Sequence, residues 1–380
     1  MAAGPIPERA GRPVRLGVVG AGLIGRVHAR LARALDEVEL CAVVDPSEHA
    51  KNIVQGTNAK WFSSIEEMFS AVPVDGVILA TPSALHLSGA LICIARRCPV
   101  LVEKPLCRSV AEGETLLARA RAAGVPVLTG HHRRHGAPLQ RARQLIDDGA
   151  LGRLVAFHGS CWLSKPDDYF DVAWRRGDAG GPLAINLIHD LNAALHLMGD
   201  VATVHAFAAR AVRAGPCEDT AAVLLRFESG ALGTLSVSDT AVSPWNWEMS
   251  AGENPDFPHA GGSCYRITGT RGALSLPDLV LWRHERPGRG SDGKQAPGAD
   301  GTQAAGAAAG QGHWLDPIGA QGLAVAVHDP LRAQMRQFAA VIRGTQAPLV
   351  PGEEGLRTLR LLQAARESIE TGRSVAPGAL

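Results

Sequence analysis

The sequence predicts an α/β domain built on a parallel sheet, followed by an α+β domain built on a largely antiparallel open sheet. Three observations carry this. Short β-rich runs alternate with helical stretches through the first third of the chain. A glycine-rich turn, Gly20-Ala-Gly22-Leu-Ile-Gly25, joins the first such run to the first helix. After about residue 132 the alternation gives way to longer strands that follow one another with few helices.

In chain order, residues 1–13 carry Gly, Pro, Glu and Arg without an apolar run and read as a flexible tail, not a signal peptide. Residues 14–132 form the first domain. Val14–Val19 is a strand and Arg26–Leu35 a helix. Glu39–Val44 is strand-like, and Ser64-Ile-Glu-Glu67 is a capping box that opens a helix. Gly76–Ala80 is a buried strand, Ser83–Arg97 a helix and Pro99–Val102 a strand. Ser109-Val-Ala-Glu112 caps a helix that stops at Gly124, and Val125–Leu128 is a last strand. Strands separated by helices imply parallel pairing through right-handed crossovers.

Residues 133–380 form the second domain. Leu154–Trp162, Val201–Ala209, Thr220–Phe227 and Leu232–Asp239 read as strands, the last two joined by the hairpin signal Glu228-Ser-Gly230. Tyr265–Thr268, Leu274–Leu276 and Val280–Trp282 continue the pattern, and one helix, Pro182–Met198, interrupts it. Residues 288–312, rich in Gly, Ala, Gln and Asp, read as a mobile surface insertion. Asp329–Arg343 and Gly352–Thr371 return to helical periodicity. An open antiparallel sheet leaves one face free to pack against a second copy of the chain, so a homodimer or homotetramer through that sheet is expected.

The bulk numbers exclude several function classes. A formal net charge of +1 over 380 residues gives no electrostatic footprint for nucleic acid. No apolar run reaches the length of a membrane span. Seven scattered cysteines without a Cys-x-x-Cys pair fit buried thiols in a reducing cytoplasm.

The glycine-rich turn follows a strand and opens a helix, the context in which its spacing signifies dinucleotide binding. The first glycine permits a tight turn, the second lets backbone approach a pyrophosphate, and the third lets helix and strand pack closely. The helix N-terminus, at Leu23 and Ile24, offers N–H donors. Asp45 ends the second strand, twenty residues beyond Gly25. An acid there accepts hydrogen bonds from ribose hydroxyls and repels a 2′-phosphate, which favours NAD over NADP.

Further motifs stand at the ends of the later strands: Ala80-Thr81-Pro82-Ser83 with His86, then Glu103-Lys104-Pro105, then Gly180-Gly-Pro-Leu183 followed by His189. Together with Gly20–Gly25 they make the chain resemble, over nearly its whole length, the glucose-fructose oxidoreductase / inositol dehydrogenase (Gfo/Idh/MocA) family. The resemblance implies hydride transfer between NAD(P) and a hydroxyl-bearing carbon of a sugar, cyclitol, sugar acid or related cyclic diol. It implies cofactor contacts from Thr81, Pro82, His86, Glu103, Lys104 and Trp174. Lys104 stands at the carboxyl end of a strand, where ligands bind in open α/β sheets. A lysine near the nicotinamide would have its pKa lowered and could polarise the substrate oxygen; Glu103 would orient it. His189 is the candidate base, with Asn186 three residues before it on the same helix face. The family's helix carries an Asp four residues before its His; here that position is Ile185, so the proton falls to His189, alone or shared with Lys104.

Gly130-His-His-Arg-Arg-His135 lies at the expected domain junction, and the resemblance places it beside nicotinamide and substrate, with His132 and Arg133 as the substrate-binding choices. Trp174 would cover the nicotinamide, and Arg175 would bind a carboxylate or carbonyl oxygen of the substrate. His131 and His135 could suggest a metal, but no third ligand of matching spacing is visible, so none is expected. Two other readings have a basis in the fold: an NAD-dependent glycosidase that oxidises transiently and then eliminates, and a non-catalytic NAD-binding ligand sensor, which Ile185 favours.

Overall fold

A computed structural model describes residues 11–177, 180–213, 215–284 and 314–378. The expected insertion at 288–312, and residues 1–10 of the expected tail, lie outside the described residues; within the rest of that tail, Arg12 pairs with Asp75 at 2.9 Å. The elements run β1 (Val14–Val19), α1 (Leu23–Arg33), β2 (Val38–Val44), α2 (Lys51–Val54), β3 (Lys60–Phe62), α3 (Ile65–Ala71), β4 (Gly76–Leu79), α4 (His86–Ala95), β5 (Val100–Val102), α5 (Val110–Ala123), β6 (Val127–Thr129), α6 (Ala137–Asp147), β7 (Leu154–Trp162), α7 (Ile188–Met198), β8 (Val201–Ala209), β9 (Thr220–Phe227), β10 (Leu232–Ser238), α8 (Trp247–Ala251), β11 (Tyr265–Gly269), β12 (Ala273–Leu276), β13 (Val280–His284), β14 (Ile318–Gly322), α9 (Pro330–Ile342) and α10 (Gly352–Thr371).

The chain folds as two compact units. The first comprises Met1–Gly136, Leu183–Ala193 and His328–Leu380; the second comprises Ala137–Pro182 and Ala194–Val327. A single boundary after residue 132 would assign 183–193 and the two C-terminal helices elsewhere. Packing is the reason they return to the first unit. Phe338 and Ile342 of α9 lie under Gly76, where a Cβ would stand 2.4 Å from Ile342. Leu356 and Leu359 of α10 share a core with Leu116 and Leu117 of α5.

In the first unit six parallel strands lie in the order β3-β2-β1-β4-β5-β6. Strand alternation divides their side chains between two cores. Val77, Leu79, Val100 and Val102 face α4, α5 and α10. Leu16, Val18, Ile78 and Leu101 face α1 and α9. A sheet buried on both faces needs continuous apolar strands, and β4 and β5 are buried at every position. Both capping boxes form: Ser64 and Ser109 accept from the N–H groups of Glu67 and Glu112. The order of strands reverses at β1 and β4, and ligands bind at such a switch point, beyond the carboxyl ends of the strands.

In the second unit eight strands lie in the order β14-β13-β12-β11-β7-β10-β9-β8. Every pair is antiparallel except β10 with β7, which is parallel. Along β9, Ala221, Val223, Leu225 and Phe227 are buried while Ala222, Leu224 and Arg226 are exposed, the alternation of a sheet with one open face. Among the described residues no helix is long and apolar enough to cross a membrane.

Five elements were not expected: α2, β3, α6, α8 and β14. One expected element differs. The helix over 182–198 begins with a π-helical turn, Leu183–Leu187, before α7 continues it. The turn stands where the Ile185 carbonyl accepts a hydrogen bond from Lys104 Nζ at 2.7 Å. π turns within helices concentrate at functional sites.

Candidate active site

The glycine-rich turn assigns a separate task to each of its glycines. Gly20 adopts φ +96°, and a Cβ on it would stand 2.6 Å from the Ala80 carbonyl oxygen. A Cβ on Gly25 would lie 1.9 Å from the Gly20 carbonyl oxygen, so this glycine lets α1 close onto the turn. Around Gly22 a Cβ would meet nothing within 4 Å. Its missing side chain therefore serves space outside the protein, at the helix N-terminus where Leu23 and Ile24 begin α1. Asp45 borders the same turn: its Oδ2 accepts from the Ala21 N–H at 2.7 Å and its Oδ1 from the Ser47 N–H at 2.8 Å. Thr81, at the end of β4, has a buried Oγ1 with no hydrogen-bond partner, and Pro82 beside it is exposed. An open cradle at a helix N-terminus, a carboxylate beside it and an orphaned hydroxyl at the switch point fit a dinucleotide.

The segment Glu103-Lys104-Pro105 follows β5 and is held from three sides. The buried Glu103 carboxylate is 2.8 Å from His28 Nε2 on α1 and accepts from the Lys104 N–H at 3.1 Å. Burial alone would raise its pKa. The hydrogen bond and charge of His28, with the fields of His132 and Lys104, outweigh burial and hold the carboxyl below its ordinary value. Gly130 at the end of β6 makes the room, since a Cβ there would stand 2.9 Å from the same carboxylate. His86 closes the third side. Its Nδ1 and Nε2 lie 2.9 Å from the Pro105 and Thr81 carbonyl oxygens, and burial lowers its pKa. A neutral ring donates to one of these at a time. The resemblance implied a cofactor contact for His86, whereas both ring nitrogens are engaged with the backbone of the strand ends.

Lys104 extends from this anchor to Ile185. His189, on the first turn of α7, is buried, and its Nδ1 has no partner. Burial, followed by the fields of Lys104, Arg133, His132 and His131, drives its pKa well below the ordinary value, so the ring is neutral. The ring of His132 meets it edge-on at a centroid distance of 5.1 Å, and that of His131 at 5.9 Å. Asn186 is half-buried in the π turn.

Arg133 is placed differently from the expectation of a substrate contact. It is 3% exposed, and its Nη1 donates to Asp190 Oδ1 at 3.0 Å within a fully buried pair. Its neighbour Arg134 pairs with Glu354 of α10 at 3.2 Å. Removing either member of the buried Arg133–Asp190 pair leaves an uncompensated charge, so Arg133, with Arg134 beside it, anchors the His131–His135 turn.

Trp174 and Arg175 belong to the second unit. They sit in the 3-10 turn Ala173–Arg176, where the Trp174 side chain lies outside what the structure describes. Arg175 Nη1 donates to the Tyr169 carbonyl at 2.8 Å, and its guanidinium lies 4.0 Å from the centre of the Tyr169 ring. Lys165 Nζ also lies over that ring, at 4.6 Å. The structure thus brings Lys104, His132, Asn186 and His189 into one unit with the glycine-rich turn, and keeps Arg175 with its own aromatic cluster. Among the described residues no three His, Cys, Asp or Glu form a metal-binding group.

Sequence reasoning missed His28, His131 and Asp190. His28 had a readable signal: three residues after Gly25, it lies one helical turn on, facing the sheet as Gly25 does. Asp190 stands beside His189 in a buried helix, where a carboxylate requires a partner. His131 carried no signal, because nothing in His131–His135 distinguishes a buried imidazole from a solvated one.

Comparison with known proteins gives a consistent picture. A model described as the oxidoreductase family, NAD-binding Rossmann fold matches residues 14–131, and the GFO/IDH/MocA C-terminal domain matches residues 139–275. The chain is 30% identical over 243 residues to 2,7-anhydro-N-acetylneuraminate hydratase of Escherichia coli, covering 62% of this chain and 63% of that relative. It is 24% identical over 376 residues to myo-inositol 2-dehydrogenase of Thermotoga maritima, covering 95% of this chain and 98% of the relative. The fold matches the WlbA dehydrogenase of Bordetella pertussis, solved with NADH and UDP-GlcNAcA. That match has a TM-score of 0.75 and 24% identity, and covers 97% of this chain and all of the other.

Proposed function

The chain belongs to the Gfo/Idh/MocA oxidoreductase family, and on that premise we propose that it is an NAD-dependent dehydrogenase. Its substrates would be the hydroxyl-bearing carbons of a sugar, cyclitol, sugar acid or related cyclic diol. The observation that carries this reading is that Lys104 bonds the π-helical turn opening the helix that bears the neutral His189, in the unit that holds the dinucleotide cradle.

The cradle of Gly20, Gly22 and Gly25 would hold the pyrophosphate, Asp45 the ribose hydroxyls, and Thr81 Oγ1 a polar group of the bound cofactor. The bound NAD supplies a two-electron hydride acceptor. The remaining work belongs to the protein's side chains. Lys104 directs its ammonium toward the substrate oxygen, where positive charge stabilises the developing alkoxide. His189 is held neutral, so it takes the hydroxyl proton as the C–H bond gives up its hydride. His132 and Asn186 border His189 and orient the substrate's other hydroxyls. Glu103, tied to His28, fixes the backbone from which Lys104 reaches. Small sugar-like or polyol substrates match the names of the relatives.

A screen of cyclitols, sugars and sugar acids with NAD and with NADP tests this, read as a steady rise in reduced-nicotinamide absorbance. We expect turnover with NAD and at least about tenfold less kcat/KM with NADP, from the Asp45 carboxylate at the ribose. Equal turnover with NADP would remove the role given to Asp45. A bound cofactor that cycles without accumulating in its reduced form would favour the glycosidase reading, and NAD binding without turnover would favour the sensor. We also place the chain in the cytoplasm, which the seven free cysteines support. We infer a homodimer or homotetramer through the open sheet face.

A further inference from the structure

His131 is 1% exposed, and neither of its ring nitrogens has a hydrogen-bond partner. Burial, joined by the fields of Lys104, Arg134 and His132 and opposed by that of Glu103, takes its pKa down to about 3. A neutral imidazole buried with both nitrogens unmatched is destabilising, and a phenyl ring would fill the same volume without that penalty. Orphans of this kind in a folded interior call for a functional reason.

The neighbouring orphan supplies one. His189 Nδ1 is also buried and unmatched, and the two rings meet edge-on with centroids 5.9 Å apart; polar groups this close that make no direct hydrogen bond can be joined by a bridging water. A histidine that takes a proton at one nitrogen works only in the tautomer that leaves that nitrogen bare. That tautomer is set by what the other nitrogen bonds. The groups around His189 do not supply a carboxylate for this purpose. Ile185 is apolar, and Asp190, the next residue along the helix, turns its side chain to another face, where Arg133 engages Oδ1. The other titratable groups whose fields reach the pair are His132, the cations Lys104, Arg133 and Arg134, and Glu103, whose carboxylate is engaged by His28 and the Lys104 N–H.

We propose that His131 is the positioning residue for His189, accepting through one water from its Nδ1–H and so holding the tautomer that receives the substrate proton. This rests on the reading of His189 as the base, and the experiment separates the two. Imidazole nitrogen NMR of the protein without substrate should show His189 in a single Nδ1–H tautomer. In His131→Phe it should show a mixture. The same variant should keep or raise Tm, keep its NAD affinity within about twofold, and lose about tenfold or more in kcat. His131→Asn, which retains an acceptor, should recover part of that loss. If the Phe variant does not fold, His131→Ala assayed with added imidazole carries the same comparison, with recovery of turnover expected. A His131→Phe enzyme with unchanged kcat and a single His189 tautomer, or an alanine variant that imidazole does not restore, would overturn the proposal. If His189→Asn itself kept turnover, the base reading would fail instead.

Discussion

At the scale of single residues, the candidate site works by controlling which groups carry charge. Glu103 stays ionised although buried, because His28 and the Lys104 N–H satisfy it. His189 stays neutral because burial and nearby cations penalise its protonated form. The pH dependence follows from that direction. A base with a depressed pKa remains unprotonated down to that lower value, so the acid limb of kcat/KM should lie well below 6.5, the ordinary histidine value. A pH–rate profile checks this, and a limb at or above 6.5 would contradict the role of His189. Lys104 and His189 were legible in the sequence as candidates through the motifs that carry them, and the fold brings both into the unit that holds the glycine-rich turn. The duties of Arg133 and His86 were not, because motif position does not say whether a polar side chain faces a ligand or its own backbone. In the fold, Asp190 engages Arg133 and two strand-end carbonyls engage His86.

At the scale of elements, the glycine-rich turn makes a paired prediction. Gly22→Ala adds a methyl group that meets no protein atom within 4 Å, so Tm should hold while NAD affinity falls by about tenfold or more. Gly25→Ala forces its methyl against the Gly20 carbonyl oxygen and should lower Tm as well. Thermal melts with and without NAD distinguish these outcomes; a Gly22→Ala protein with unchanged affinity would displace the cradle. The strongly periodic elements were readable: both capping boxes, the hairpin after β9, and α10. β3 is three residues long, too short for alternation to register, and β14 is Ile-Gly-Ala-Gln-Gly, which has little β character. The π turn at Leu183–Leu187 is as free of helix breakers as the α-helix it opens. Only its tertiary partner, Lys104, distinguishes it.

At the scale of the whole molecule, each unit positions something the sequence could describe only in outline. In the second unit the open sheet face carries Phe207, Leu224, Leu232 and Trp282, each at least 41% exposed. The cross-strand register Phe207↔Ala222, Arg226↔Leu232 and Ala273↔Trp282 continues one face across the sheet. A face that apolar fits a second copy of the chain. Light scattering should return a dimer or tetramer that Leu224→Arg with Phe207→Arg converts to monomer, and a wild-type monomer would contradict that reading. In the first unit, helices from the far end of the chain complete the sheet that holds the cradle, and the segment 183–193 brings His189 and the Ile185 carbonyl to Lys104. The claim on which the rest depends is that Lys104 acts on the reacting oxygen rather than on the cofactor or the fold. The direct measurement is Lys104→Ala, assayed for turnover on the best substrate from the screen and for NAD binding by titration. The account predicts that kcat/KM falls by about a hundredfold or more while the NAD dissociation constant stays within about twofold. Turnover within about threefold of wild type, or NAD affinity that falls in step with turnover, would contradict it.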